Sequence, residues 1–487
     1  MFQTLKNAWK TQELKTKLLF TLLIVILYRV GCCIPVPWVT NDVVDLFSNF
    51  GAMQLMMGDS FSQATLFALS VSPYITSSII MQLLTIAIPA LERMAKDGEE
   101  GKKKIAMITR IVTMVLALIT AIGYSLTVIN QGYANIGDTN KVFAIAVMTA
   151  CYCAGAAIVM WMAEKINEFG IGNGISIILF ANIIARLPDV FKNFWYVLVG
   201  NWDFVSSIKN QGVIGDVVAD ASGANIANLI INIVWIVIVC ALLVGLVWLI
   251  VWFTDSERRI PVQYAKRVVG RKMYGGQSSN LPLKLNMAGV MPVIFANSIV
   301  SIPATLNMML QNQEWAWWIT MLANNYFSYT KPLYVLVSII LLFAFAYFYI
   351  MISFNPVEVA NNIRNNGGAV PGIRPGKPTS DYIKKILNRI TFIGAVFLCI
   401  VSEVPKLIVS LFQTVGELNV ITEGSNPVLE AIMNFYTGGG DALTASSSFM
   451  TVAFAGTSIL IVVGVILETV RELEAQLTMR NYKGFLD

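Results

Sequence analysis

The sequence predicts an all-α polytopic membrane protein, with ten transmembrane helices in two inverted five-helix halves around a central pore. Three observations carry that prediction. Of the 487 residues, 56% are hydrophobic and only 13% charged, roughly half the charged share of a soluble domain. Apolar runs long enough to cross a hydrocarbon core of about 30 Å recur along the whole chain. Two of these runs also carry a proline at matching places, Pro73 and Pro292.

The apolar runs lie near 18–36, 67–88, 105–129, 142–162, 171–187, 226–253, 286–310, 332–353, 390–411 and 449–468. With the N-terminus inside, segments 1–17, 92–110, 163–174, 254–285, 354–389 and 468–487 hold most of the 34 Lys and Arg residues. Orientation follows the placement of Lys and Arg, so both termini are expected on the cytoplasmic side of the cell membrane. The long external loop 186–225 divides the spans into two sets of five. The N-terminal half is read as 1–205 and the C-terminal half as 206–487.

An odd number of spans per half inverts the second set relative to the first. In each set the second span has its proline early, in Ser70-Val71-Ser72-Pro73 and in Gly289-Val290-Met291-Pro292. Proline lacks the backbone donor and pushes the preceding residue out of helical geometry, so both spans should be interrupted there. Paired interruptions at corresponding positions point to inverted repeats around a central pathway. The run Leu66–Ile88 also carries Ser70, Ser72, Thr76, Ser77, Ser78 and Gln82. Just before it, 51–63 is too short to span and too apolar for an ordinary exposed loop. A short half-helix followed by a full one, with the break facing a passage, fits this pattern; a proline-kinked packing helix is the alternative.

Chemistry-bearing groups are scarce. There is no His, which removes the commonest metal ligand and the usual neutral-pH proton shuttle. Six Cys, at 32, 33, 151, 153, 240 and 399, fall in or beside apolar runs and read as packing residues. Span centres hold essentially no ionisable residue, whereas pumps and ion-coupled carriers normally place several there. Arg29 is the exception and is expected to snorkel or to cap a neighbouring helix end; Glu164, Glu403 and Glu468 lie at span ends. No nucleophile–base pair, carboxylate pair or phosphate-binding glycine loop occurs. No enzymatic activity, metal or cofactor is therefore expected.

A passive conduit with an aliphatic waist remains. Such a constriction resists wetting and blocks ions, yet seals around a bulky passenger of varied chemistry. Its driving force has to come from a partner docked on the cytoplasmic loops. Loops 254–285 and 354–389 suit that role, being long, basic and, in the second, punctuated by Gly and Pro. Contact with anionic lipid also accounts for their charge. Aromatic residues in 186–225 and 311–330 read as interfacial anchors, and 412–448 as a polar external insertion. An inverted-repeat secondary transporter for a small solute is the competing reading, and a membrane scaffold comes third.

Seven stretches then stand out: Arg29–Pro37, Ser72–Thr85, Glu168–Ser176, Arg258–Arg267, Leu281–Val290, Val370–Lys377 and Asn481–Phe485. Their order and spelling resemble the SecY/Sec61-alpha family of protein-conducting channels over nearly the whole chain. That resemblance implies an hourglass pore with an aliphatic ring formed by Val71, Ile75, Leu179, Ile294, Leu306 and Ile461. It implies a plug at about 52–67, carrying Met53, Leu55, Met56, Met57 and Phe61. It implies a lateral gate between spans 2 and 7 to 8, with Thr76, Ile79, Gln82 and Asn297. Through Arg258, Arg259, Lys266, Arg267, Arg271, Lys272, Arg374 and Lys377, the loops would receive the SecA motor ATPase or ribosomal RNA. SecE and SecG are the implied companion subunits, and signal-sequence-bearing preproteins the passengers. The pair Cys32-Cys33, Asn280 and the length of 412–448 depart from the usual family pattern.

Overall fold

The computed structural model describes residues 9–40, 59–135, 140–185, 243–264, 267–269, 272–274, 278–310, 317–325, 332–407 and 442–483, with positions 6, 188 and 241. The first helices are α1 (Gln12–Cys32), α2 (Asp59–Ser62), α3 (Ser72–Ala87), α4 (Pro89–Lys96), α5 (Gly98–Asn130), α6 (Lys141–Phe169) and α7 (Gly174–Ile184). Helix α8 (Leu243–Asp255) leads into strands β1 (Glu257–Tyr264), β2 (Arg267–Val269), β3 (Lys272–Tyr274) and β4 (Ser278–Lys284). Then follow α9 (Met291–Val300), α10 (Ile302–Leu310), α11 (Trp317–Asn325), α12 (Pro332–Ser353) and α13 (Pro356–Asn365). Strand β5 (Gly368–Ala369), α14 (Lys377–Ser402) and α15 (Ala442–Lys483) complete the series.

Part of a helix lies in each of the ten apolar stretches. Among the described residues, four helical stretches are long and apolar enough to cross a membrane: Gly98–Asn130, Lys141–Phe169, Pro332–Asn365 and Lys377–Ser402. Their wide bands of exposed Ile, Leu, Val and Phe suit contact with lipid. Helix α3 ends at Ala87 and the chain bends by 101° into α4. Pro89 explains the corner, because it has no N–H to offer the preceding turn.

Both interruptions anticipated at proline are present, and they share one geometry. Pro73 and Pro292 each stand in the first turn of a helix, where the missing N–H would have had no helical partner. Val71 and Val290 are the two N-caps, with φ/ψ of −92°/−2° and −94°/−13°. Immediately upstream, Ser70 has φ of +47° and Gly289 has φ of +64°. The predicted full helix over 67–88 is thus shorter at its start, and 64–71 runs as a series of turns.

Helices α1, α3, α5, α6 and α7 pack in one set, and α9, α12, α14 and α15 in another. The sets meet where α3 and α5 touch α9 and α10, and again where α7 touches α15. One contiguous apolar cluster crosses both sets. A second, around Tyr124, Met148 and Tyr152, is confined to the first set.

The two basic loops fold together. Strand β1 pairs antiparallel with β4, from Glu257↔Lys284 to Gln263↔Ser278, and with β5 through Gln263↔Ala369 and Tyr264↔Gly368. Strands β2 and β3 form a separate hairpin. Beneath the sheet Ile260, Val262, Leu283, Ile363, Val370 and Ile383 form a third apolar core. Neither loop has enough apolar surface alone, so the shared core was not legible from either one. The helical bundle therefore carries a small mixed α and β platform.

Candidate functional site

The site is built around the two proline turns. In α3, Val71 and Ile75 are four residues apart and so share one helical face; both are buried. Leu179 in α7 and Ile294 in α9 are buried in the same contiguous cluster, and Ile461 in α15 packs against it. These five side chains come from four helices and both sets. Leu306 stands apart. It lies in α10 beyond the break at Ser301, is 40% exposed, and is not part of that cluster.

The segment leading into α3 is clamped by its neighbours. Leu66 N–H donates to the Ile34 carbonyl at 2.9 Å, and Pro35 bridges Thr65. The Tyr124 hydroxyl donates to the Phe61 carbonyl, and that of Tyr152 to the Ala64 carbonyl at 3.3 Å. Phe61 is fully buried against Tyr124, with ring centroids 5.3 Å apart. Gly155 permits this close approach, since a Cβ there would meet the Leu66 carbonyl oxygen at 1.9 Å. Of the proposed plug residues Met53, Leu55, Met56 and Met57 lie outside the described residues. Phe61 belongs to the anchored stem.

Among the gate residues, Ile79 is buried, whereas Thr76 and Gln82 are half-buried on α3. The Thr76 hydroxyl donates back to the Ser72 carbonyl at 3.1 Å. Asn297 is turned towards span 9, where its Oδ1 accepts from Lys406 Nζ at 3.3 Å. Lys406 also pairs with Glu403 at 2.9 Å, both side chains being almost wholly buried. Hydropathy reading missed this pair, because it set Glu403 at a span end and gave no part to Lys406, although both fall in the run 390–411. Their i,i+3 spacing inside an apolar run was the available signal. Arg29 donates to the Ala181 carbonyl in the last turn of α7, which is the cap expected of it.

On the platform, Arg258 is exposed, and Arg259 is exposed while paired with Glu257 at 2.6 Å. Arg374 and Lys377 are exposed where the β5–α14 turn ends. The Arg374 carbonyl accepts from Thr379 Oγ1 at 2.9 Å, which fixes the turn and leaves the guanidinium outward. Arg267 and Lys272 lie in the β2–β3 hairpin; Lys266 and Arg271 lie outside the described residues. Burial pushes the Lys284 ammonium below its ordinary pKa, and nearby Arg471 adds to that shift. Arg471 itself donates to Asp255 at 2.7 Å and to the Thr254 carbonyl at 2.8 Å, tying α15 to the platform's base.

The SecY family model matches residues 65–470. The chain belongs to the SecY family. It is 39% identical over 505 residues to the protein translocase subunit SecY of Streptomyces coelicolor, covering 100% of both chains. Against the SecY of Halalkalibacterium halodurans the identity is 35% over 491 residues, again with full coverage of both. Among solved structures, one described as a protein conducting channel aligns with a TM-score of 0.55 at 17% identity, covering 94% of this chain and 92% of that one. Sec61 in a canine ribosome-channel complex aligns with a TM-score of 0.52 over the same shares. At such identities the structural matches establish the SecY/Sec61 fold.

Proposed function

We propose that the chain conducts unfolded secretory polypeptides through a pore sealed by Val71, Ile75, Leu179, Ile294 and Ile461. Family membership makes it a protein-translocation channel rather than a small-solute carrier. What supports the pore reading is that those five aliphatic side chains, from four helices of two sets, all belong to or pack against one contiguous apolar cluster. Aliphatic walls bind no ion and impose no hydrogen-bond pattern on a passenger, so they exclude ions at rest and tolerate any sequence in transit. A proline turn starts each of the two facing helices, α3 and α9, so the backbone interruptions flank the waist.

In this reading the halves are 1–205 and 206–487, hinged so that α3 and α5 part from α9, α10 and α12. Thr76, Ile79 and Gln82 would then meet a signal segment, and apolar stretches would pass sideways into lipid. Of the plug at about 52–67, the part before Phe61 would swing from a stem fixed at Phe61 and Ala64. The chain would sit in the cell membrane with both termini cytoplasmic, alongside SecE and SecG. Its platform would present Arg258, Arg259, Arg374 and Lys377 to the SecA ATPase, to ribosomal RNA or to anionic lipid. Arginine suits phosphate through its planar paired donors, and related channels are known in ribosome complexes.

The test is site-specific crosslinking of a stalled secretory chain to a photoreactive residue placed at 75, 179 or 294. Adducts at all three, with none at a lipid-facing position such as Ile111, are the expected result. A chain that crosslinks only to lipid-facing positions would overturn the reading.

A further inference from the structure

The two proline turns are built alike but from different residues, and the difference has a physical cause. Gly289 reaches φ of +64° without strain, because it has no Cβ. Ser70 occupies the corresponding place in the first repeat at φ of +47°, a left-handed conformation that side chains with a Cβ rarely adopt. Something must hold it there. Ser70 is 1% exposed, and its hydroxyl closes a three-membered hydrogen-bond ring with Tyr28 of α1 and Asn182 of α7, both also buried. Tyr28 donates to Asn182 Oδ1 at 2.7 Å, and Asn182 Nδ2 donates to Ser70 Oγ at 2.9 Å. The 3.1 Å contact between Ser70 Oγ and the Tyr28 hydroxyl completes the circle, with Ser70 donating. Each polar group in the ring is thereby satisfied by another, away from water. Tyr28 also stacks on Phe67, with centroids 5.6 Å apart, which fixes the phenol.

Two of the three residues adjoin the waist. Ser70 directly precedes Val71, and Asn182 lies three residues beyond Leu179 on α7. We propose that Tyr28, Ser70 and Asn182 are positioning residues for the seal. Their hydrogen-bond ring imposes on a serine the turn that glycine adopts freely in the second repeat, and so aims Val71 and Leu179 at the waist. This proposal rests on the pore reading above.

The experiment compares Ser70→Ala with Ser70→Gly in the full complex, reconstituted into liposomes and assayed for resting anion flux. Ser70→Ala keeps the Cβ and loses the hydroxyl, so the turn relaxes; resting flux is expected to rise roughly tenfold. Ser70→Gly loses the hydroxyl and the strain together, so it should seal like the unaltered protein. Tyr28→Phe removes one hydroxyl while keeping the stack on Phe67, and should leak like Ser70→Ala. Adding Ser70→Gly to Tyr28→Phe should restore the seal, a rescue that a merely stabilising role would not produce. If Ser70→Ala fails to accumulate, the Tyr28→Phe pair decides alone. Equal flux in the Ala and Gly variants, or a Tyr28→Phe protein that seals normally, overturns the proposal. Ile75→Asn is the control for the pore reading: its leakage with a tight Ser70→Ala refutes only the positioning role, whereas tightness in both refutes the waist as well.

Discussion

Removing Lys406 while leaving Glu403 should cost far more than removing both charges. The two groups are 2.9 Å apart, with side chains 1% and 2% exposed. At an effective dielectric of about 20 their attraction is roughly 6 kcal/mol, most of it offset by the cost of taking both ions out of water. Lys406→Met deletes the attraction but not the desolvated carboxylate, and also unties Asn297 from span 9. The expected loss is about 3–5 kcal/mol of stability. In the double variant Glu403→Gln with Lys406→Met no charge remains to desolvate, so its stability should return to within about 1 kcal/mol of the starting protein. The measurement is reversible unfolding in mixed micelles, read as a double-mutant cycle with a coupling of about 3 kcal/mol. Single and double variants of equal stability would show that the pair is hydrated, and the burial argument would fail.

Gly155→Ala places a methyl 1.9 Å from the Leu66 carbonyl oxygen, a backbone atom that cannot rotate aside; thermal unfolding should show a loss of about 1–3 kcal/mol. Gly245→Ala meets nothing within 4 Å among the described residues and should be neutral or slightly stabilising in the same assay. Arg374→Glu reverses an exposed charge without touching the turn, which is held through the Arg374 carbonyl. Membrane insertion should therefore stay normal while SecA-driven transport of a preprotein into vesicles stops; normal transport would remove Arg374 from the docking surface.

The residues that announced the fold did so through short-range patterns. Runs of Ile, Leu and Val marked the spans, and Pro73 and Pro292 marked the starts of α3 and α9. Local chemistry was enough for these, since hydropathy and a missing N–H act on the segment that carries them. The bend at Pro89 shared the same cause but went unread, because it fell where an apolar run was already ending. The platform escaped for another reason: β1 pairs with β5 across more than a hundred residues, and their common core belongs to neither loop. Leu306 differs from the other five ring candidates, for it lies beyond the break at Ser301, exposed and outside the large apolar cluster they share.

By itself the sequence determined a multi-span protein whose apolar runs hold few charges and whose basic residues are unevenly distributed along the chain. Lipid selects for such composition one segment at a time. Tertiary structure alone decided that Tyr28, Ser70 and Asn182 meet, that Lys406 is buried beside Glu403, and that Asn297 faces span 9. A polar side chain inside an apolar bundle is tolerated only where it finds a partner, and partners from distant parts of the chain are chosen by the packing of helices.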